Sequence, residues 1–207
     1  MKSNYTFRTL IENRVTASHF ALHQEIDDEI IREMLRLATL SPSAFNLQNW
    51  HFIAVKSNQA KQQLCDIAFG QAQVKEASVT FIVCGDLDGY RRLGDTLQPS
   101  VDAKLLPDSV RNSWVSMVDN LHRENPQLKR DEAFRSASLA AGALMLVAQD
   151  CGFASGALSG FDADRVIKEF ALREHLIPVM LVTVGYPVAN QRPRKIRNPV
   201  NSILEFR

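Results

Sequence analysis

The stretch SPSAFNLQNWHF, residues 41–52, decides how this chain is read. It opens with Ser41-Pro42, which stops a helix because Pro disfavours helical geometry in the residue before it. It closes with Trp50, His51 and Phe52, which lead into an extended segment. Between these limits Ser41, Ser43, Asn46, Gln48 and Asn49 supply one short polar side chain after another. Such a stretch is either a solvated connection or the rim of a ligand site, and the surrounding sequence has to choose.

Working outward, residues 28–40 read as an amphipathic helix with Ile30, Ile31, Met34, Leu35 and Ala38 on one face. Asp27, Asp28 and Glu29 stand at its start, where carboxylates meet the positive end of the dipole. A shorter helix is expected over 5–13. On the other side HFIAVK (51–56) predicts a strand, followed by a helix over 58–68. SVTFIVCG (78–85) is a nearly continuous apolar run, suited to a strand covered on both faces. Helices are expected over 109–123 and 131–151, the second rich in Ala, Ser and Gly and closed by Gly152. A strand over 153–158, a helix over 163–171 and a strand over 178–187 complete the pattern. Strands separated by helical segments predict one domain, 1–207, with three layers and helices on both faces of a small sheet. Periodicity alone leaves α/β and α+β both open.

The chain has 207 residues, 45% of them hydrophobic, enough to bury a core without disulfides or structural metal. A net charge of +1 gives no general attraction to nucleic acid or anionic membranes. Cys65, Cys84 and Cys151 lie far apart without CxxC spacing and read as thiols of a reducing compartment. The first residues lack the apolar core of a secretory signal, and ASLAAGALMLVA (137–148) is too short to span a bilayer. A cytoplasmic location is the expectation. The histidines form no zinc-binding spacing and no GxSxG elbow is present, so neither a metal site nor a serine nucleophile is expected.

Three segments can carry a site. In ENRVTASHF (12–20), Arg14, Thr16 and Ser18 alternate with apolar residues, which places one cation and two hydroxyls on one side of an extended segment. That set suits a phosphate or polyol, or else an exposed connection. Near the C-terminus Arg192, Arg194, Lys195 and Arg197 form a basic cluster, either an anion site or a solvated tail. In GFASGALSGFDAD (152–164), Gly152, Gly156 and Gly160 recur every fourth residue without matching a dinucleotide or P-loop fingerprint. They permit close backbone approach to a flat ligand, or simply punctuate a strand.

Together these segments resemble the nitroreductase family of FMN-dependent, NAD(P)H-using oxidoreductases. RVTAS (14–18) is similar to the family's RRSxR-like segment, and SPSAFNLQNW (41–50) to its APSxxNxQPW-like segment. LSGFD (158–162) matches the flavin loop and KIR (195–197) the basic pair near the C-terminus, all in the family's order. The resemblance implies an α+β homodimer with FMN at the interface, held by residues of both chains. It matches Arg14, Lys195 and Arg197 to the phosphate site, with Thr16 beside them. Pro42, Ser43 and Asn46 match positions that approach the flavin from the second subunit. Ser159 and Gly160 match the loop facing flavin N5 and O4, and Gln71 and Gln73 lie near contacts to the pyrimidine edge. Trp114 falls on the helix that resembles the cover of the substrate pocket.

Three positions depart from the family pattern. Ser18 replaces a usual Arg or Lys, Asn49 a usual Pro, and Ser159 an often acidic residue. Loss of the cation at 18 makes the flavin harder to reduce unless another cation substitutes. The implied activity is ping-pong transfer from NAD(P)H through flavin N5 to nitroaromatic or quinone-type acceptors, with no side chain required as acid or base. The departures keep two alternatives open: a flavoenzyme of the same fold reducing an activated alkene or semialdehyde, and a flavin-binding protein without turnover.

Overall fold

The apolar run forms strand β2 (Val79–Asp86), and every one of its residues is buried. The computed structural model in which it is seen describes residues 6–189 and 191–207. Around β2 lie β1 (Trp50–Val55), β3 (Ala154–Leu158) and β4 (Leu176–Gly185), in the order β1-β2-β4-β3 with every pairing antiparallel. Alternation along β2 divides its side chains between two cores. Val79, Phe81 and Val83 pack with Val182 and Val184 against Met34 of helix α2 (Asp28–Ala38) and Leu144 of α7 (Pro126–Asp150). Ile82 and Cys84 face the other way, onto Leu64 of α3 (Asn58–Ile67), Val74 of α4 (Ala72–Glu76) and Val166 of α8 (Ala163–Glu169). Helices on both faces of a small antiparallel sheet make the fold α+β. Phe81 and Leu144 are fully enclosed, so truncating either to Ala costs about 3–5 kcal/mol.

The short helix anticipated over 5–13 is α1 (Phe7–Asn13); residue 5 lies outside the described residues. On α2, Ile31, Met34 and Ala38 are buried, whereas Ile30 turns toward solvent. Helix α7 begins five residues earlier than its apolar run suggests. Pro126 occupies its first turn, where a missing N–H costs nothing, and the Asn125 side chain accepts from the Leu128 amide at 2.9 Å. At its other end Gly152 takes φ +85°, which lets the Gly152 and Phe153 amides donate to Gln149 and Ala148 at 2.9 and 2.8 Å.

Two helices have no counterpart in the sequence expectations: α4, and α5 (Leu93–Asp102), which contains Pro99. The remaining helix, α6 (Asp108–His122), follows its expected span closely. Among the described residues no helix is long and apolar enough to cross a membrane. Cys84 has no exposure and its thiol is pushed up to about 12 by burial, so it behaves as a small hydrophobe and not as a nucleophile.

Candidate functional site

Residues 14–18 run extended beside β3. The Ala17 amide donates to the Ser155 carbonyl at 2.9 Å, and Thr16 pairs with Ser155 in a parallel bridge. This approach requires Gly156, because a Cβ there would sit 2.7 Å from the Ala17 carbonyl oxygen. Held in this way, the alternating segment presents Arg14, Thr16 and Ser18 to a cavity of about 420 Å3. The same cavity is lined by Gln71 and Gln73 at the start of α4, and by Arg192, Arg194, Lys195 and Arg197 of the tail.

The tail is tied back across the whole length of the sequence. Gln191 accepts from the Ser18 amide at 3.3 Å and donates to the His19 carbonyl at 2.7 Å. Arg194 donates to the carbonyls of Ile11, Glu12 and Arg14 at 2.7, 2.8 and 2.5 Å. These oxygens lie at the C-terminal end of α1, where backbone acceptors lack intrahelical donors and a cation is favoured by the dipole. The guanidinium therefore clamps α1, the Arg14 backbone and the tail together.

The electrostatics of this seam are one-sided. Burial pushes the Arg14 pKa down, and the neighbouring Arg194 and Arg197 cations add to the shift. No carboxylate pairs with Arg14, Arg192, Lys195 or Arg197 among the described residues. Crowded cations without counter-charge form a receptor for an anion. Two further cavity residues, Ser18 and Gln73, carry buried side-chain oxygens (Oγ and Oε1) with no hydrogen-bond partner. Unpaired buried polar atoms are costly unless a ligand completes them.

Seven of the residues singled out from sequence thus converge: Arg14, Thr16, Ser18, Gln71, Gln73, Lys195 and Arg197. Gly160 stands next to them, its carbonyl accepting from Gln71 Nε2 at 2.8 Å, with Ser159 adjacent and exposed. Pro42, Ser43, Asn46 and Trp114 do not line this cavity. They occupy the loop at 41–49 and α6, where Phe45 meets Trp114 edge to face with ring centroids 5.7 Å apart. Ser43 Oγ accepts from the Gln48 amide at 2.9 Å, and Phe45, Asn46 and Gln48 all adopt left-handed backbone, φ +51°, +58° and +48°. Sequence reasoning placed Arg192 and Arg194 in a basic cluster without assigning them to the cavity. It gave no signal for Gln191.

A small antiparallel sheet lies between helices, with a cationic and polar cavity where residues 14–18 meet residues 191–197, and the fold is α+β. The sequence fits the nitroreductase family model over residues 11–186, and the chain belongs to that family. Two Bacillus subtilis proteins named as putative NAD(P)H nitroreductases are similar to it. MhqN is 34% identical over 97% of this chain and 98% of its own, and YodC 31% identical over 86% and 88%. A crystal structure from Exiguobacterium sibiricum 255-15, of a nitroreductase-type protein in complex with FMN, is 26% identical and covers 100% of both chains with a TM-score of 0.92.

Proposed function

We propose that the chain is an FMN-dependent NAD(P)H oxidoreductase of nitroaromatic or quinone-type acceptors, acting as a homodimer of single-domain subunits. The observation that carries this reading is the cavity at the seam, where five cations without a carboxylate partner among the described residues adjoin two buried polar atoms without partners. The residues present fit the cofactor. A phosphate bearing nearly two charges matches Arg14, Lys195 and Arg197. A polyol and the polar edge of a ring match the hydroxyls of Thr16 and Ser18 and the amides of Gln71 and Gln73. The volume of about 420 Å3 falls within the range of small-molecule sites.

When bound, FMN would supply the two-electron chemistry that couples oxidation of NAD(P)H to reduction of the acceptor. The protein's own part is binding, orientation and exclusion of water. Arg14, Lys195 and Arg197 neutralise the phosphate. Arg194 fixes their spacing from behind. The loop at Ser159 and Gly160 offers backbone donors, and Gln71 secures that loop through the Gly160 carbonyl. No side chain of the cavity is needed as acid or base.

Dimerisation is supported by surfaces that a lone chain leaves uncovered. Ile196 is 98% exposed and Phe206 90%, on a tail where Val200 and Ile203 are exposed as well. Strand β1 pairs on one side only among the described residues, which leaves an open edge. In the dimer Pro42, Ser43 and Asn46 reach the cavity of the second subunit, and Trp114 walls the acceptor pocket.

Position 18 bears on a second reading, reduction of an activated alkene or semialdehyde. Ser18 brings no charge, although Arg192 lines the same cavity and can serve as the substitute cation. Two measurements test the proposal. Purified protein is expected to be yellow or to become so with FMN, to bleach with NADH or NADPH, and to recover colour with an added quinone. Colourless protein that FMN cannot reconstitute overturns the assignment. Turnover on an alkene but on neither nitroaromatic nor quinone selects the second reading.

A further inference from the structure

A second cavity, of about 340 Å3, shares α4 with the first: Gln73 lines one, Lys75 and Glu76 the other. Lys61 of α3 lines it while only 8% exposed. Its ammonium donates to the Ala77 carbonyl at 2.8 Å, and no carboxylate forms an ion pair with it among the described residues. An ammonium has three N–H donors, so two are left to be satisfied in a desolvated place. Burial pushes the Lys61 pKa down, and Glu25 opposes that shift from a distance without reaching contact. A buried cation without a counter-ion is costly, and an anion arriving from solvent removes that cost.

Two independent features point the same way. Ser78 lines the cavity at 5% exposure, and its Oγ has no hydrogen-bond partner. Ser57 and Asn58 bring the N-terminal end of the ten-residue helix α3 to the same wall, where backbone N–H groups favour negative charge. The charges nearby are largely committed elsewhere. Lys56 pairs with Asp28 at 2.6 Å, and Glu76 accepts from the His19 ring at 3.1 Å and the Phe20 amide at 3.4 Å. Lys61 and Lys75 remain for an incoming anion, against the carboxylates of Glu25 and Glu76, of which Glu76 is turned to the His19 ring and the Phe20 amide.

We propose that this cavity binds a small organic anion, a phosphorylated or carboxylated molecule, whose anionic group is held by Lys61, Lys75, the Ser78 hydroxyl and the first turn of α3. The site stands apart from the flavin cavity and does not depend on that assignment. An occupant would rest on residues 22–25 and on α4, and α4 also lines the first cavity through Gln73.

The test titrates the full-length protein, as purified, with inorganic phosphate in one arm and acetate in the other, following backbone amide resonances. Saturable shifts are expected at Ser57–Lys61 and Ser78, and the probe that saturates first identifies the anionic group. Lys75→Ala, on an exposed side chain, and Ser78→Ala should each weaken binding about fivefold or more, and Lys61→Met about tenfold or more. Shifts that stay linear through the millimolar range for both probes overturn the proposal. So do saturable shifts confined to residues 192–197, or affinities unchanged in Lys75→Ala and Ser78→Ala. Those two variants decide the matter if Lys61→Met does not fold.

Discussion

The seam between the chain ends and the loop at 41–49 were both marked by the sequence as polar, yet they are polar in different ways. The seam gathers Arg14, Arg192, Lys195 and Arg197 around one cavity without an ion pair among the described residues. The loop carries no charge, and Ser43 directs its hydroxyl to the loop's own backbone at Gln48. Three left-handed excursions within four residues, at Phe45, Asn46 and Gln48, hold the loop in a shape that non-glycine residues adopt only under constraint. The seam is open for a ligand; the loop is held in shape by the Ser43–Gln48 bond and the Phe45–Trp114 contact, with the buried Asn49 Oδ1 left without a partner. A receptor needs both, one to supply attraction and the other to supply shape, and within one chain they do not share a cavity. That separation is the physical argument for a site finished by a second subunit.

The largest effect expected is at the seam. Removing two cations with Arg14→Ala and Arg197→Ala together should weaken FMN binding by about 100-fold or more, at ~1.5–3 kcal/mol for each charge-assisted contact. Fluorescence titration of the stripped protein with FMN measures it. The loss should shrink at high salt, because the attraction is mainly Coulombic. Near-wild-type affinity in the double variant would mean that the seam is a tail clasp and not a receptor.

A mixing experiment separates the two regions more sharply. Arg14→Ala damages only the seam, and Ser43→Ala with Asn46→Ala only the loop. If each site takes its seam from one subunit and its loop from the other, a mixed dimer contains one intact site and one doubly damaged site. Equal amounts, unfolded and refolded together, should regain about a quarter of the wild-type FMN sites, since half the dimers are mixed and each offers one. No recovery above the separate variants would place both regions in the same subunit's site or remove the loop from it.

Arg194 gives an intermediate effect. One terminal nitrogen, Nη2, serves all three backbone carbonyls at the end of α1, and these contacts do not need the ligand. Arg194→Ala should lower FMN affinity about tenfold and stability by ~1–2 kcal/mol. Lys in its place should restore the charge but not the rigid, planar group that positions Nη2, and so recover only part of either loss. Thermal melts of the stripped protein show the stability part alone. An affinity loss with an unchanged melt would mean that Arg194 acts directly on the ligand.

The same contrast explains what was legible in the sequence. The strands were plain: a short, nearly continuous apolar run such as Val79–Val83, broken only by Thr80, suits a strand covered on both faces, and Gly152 marked the end of α7 by its backbone freedom. Helix α5 was hidden by Gly94 and Pro99, two residues that ordinarily break helices, and α4 is only five residues long. The antiparallel order could not be read at all, because β2 and β4 pair across a long intervening stretch that holds α5–α8 and the strand β3. At the site, Arg14, Thr16 and Ser18 were legible because alternation in an extended segment fixes which side they face. Arg194 and Gln191 were not, since their partners lie at the opposite end of the chain and no local pattern announces them.

The smallest effect tests the loop's rigidity. Gln48 holds φ +48° and is exposed, and its amide rather than its side chain makes the bond to Ser43. Glycine adopts this conformation without steric penalty, although it enlarges the freedom of the unfolded chain. The relief of left-handed strain, ~1 kcal/mol, exceeds the entropic loss by a few tenths, so Gln48→Gly should leave stability level or slightly raised. FMN affinity should stay within about twofold, because the loop's shape is set by the Ser43 bond and the Phe45–Trp114 contact, which the variant keeps. A clear drop in FMN affinity with stability unchanged would show that the Gln48 side chain itself reaches the ligand, which would make the loop a chemical contact as well as a fixed shape.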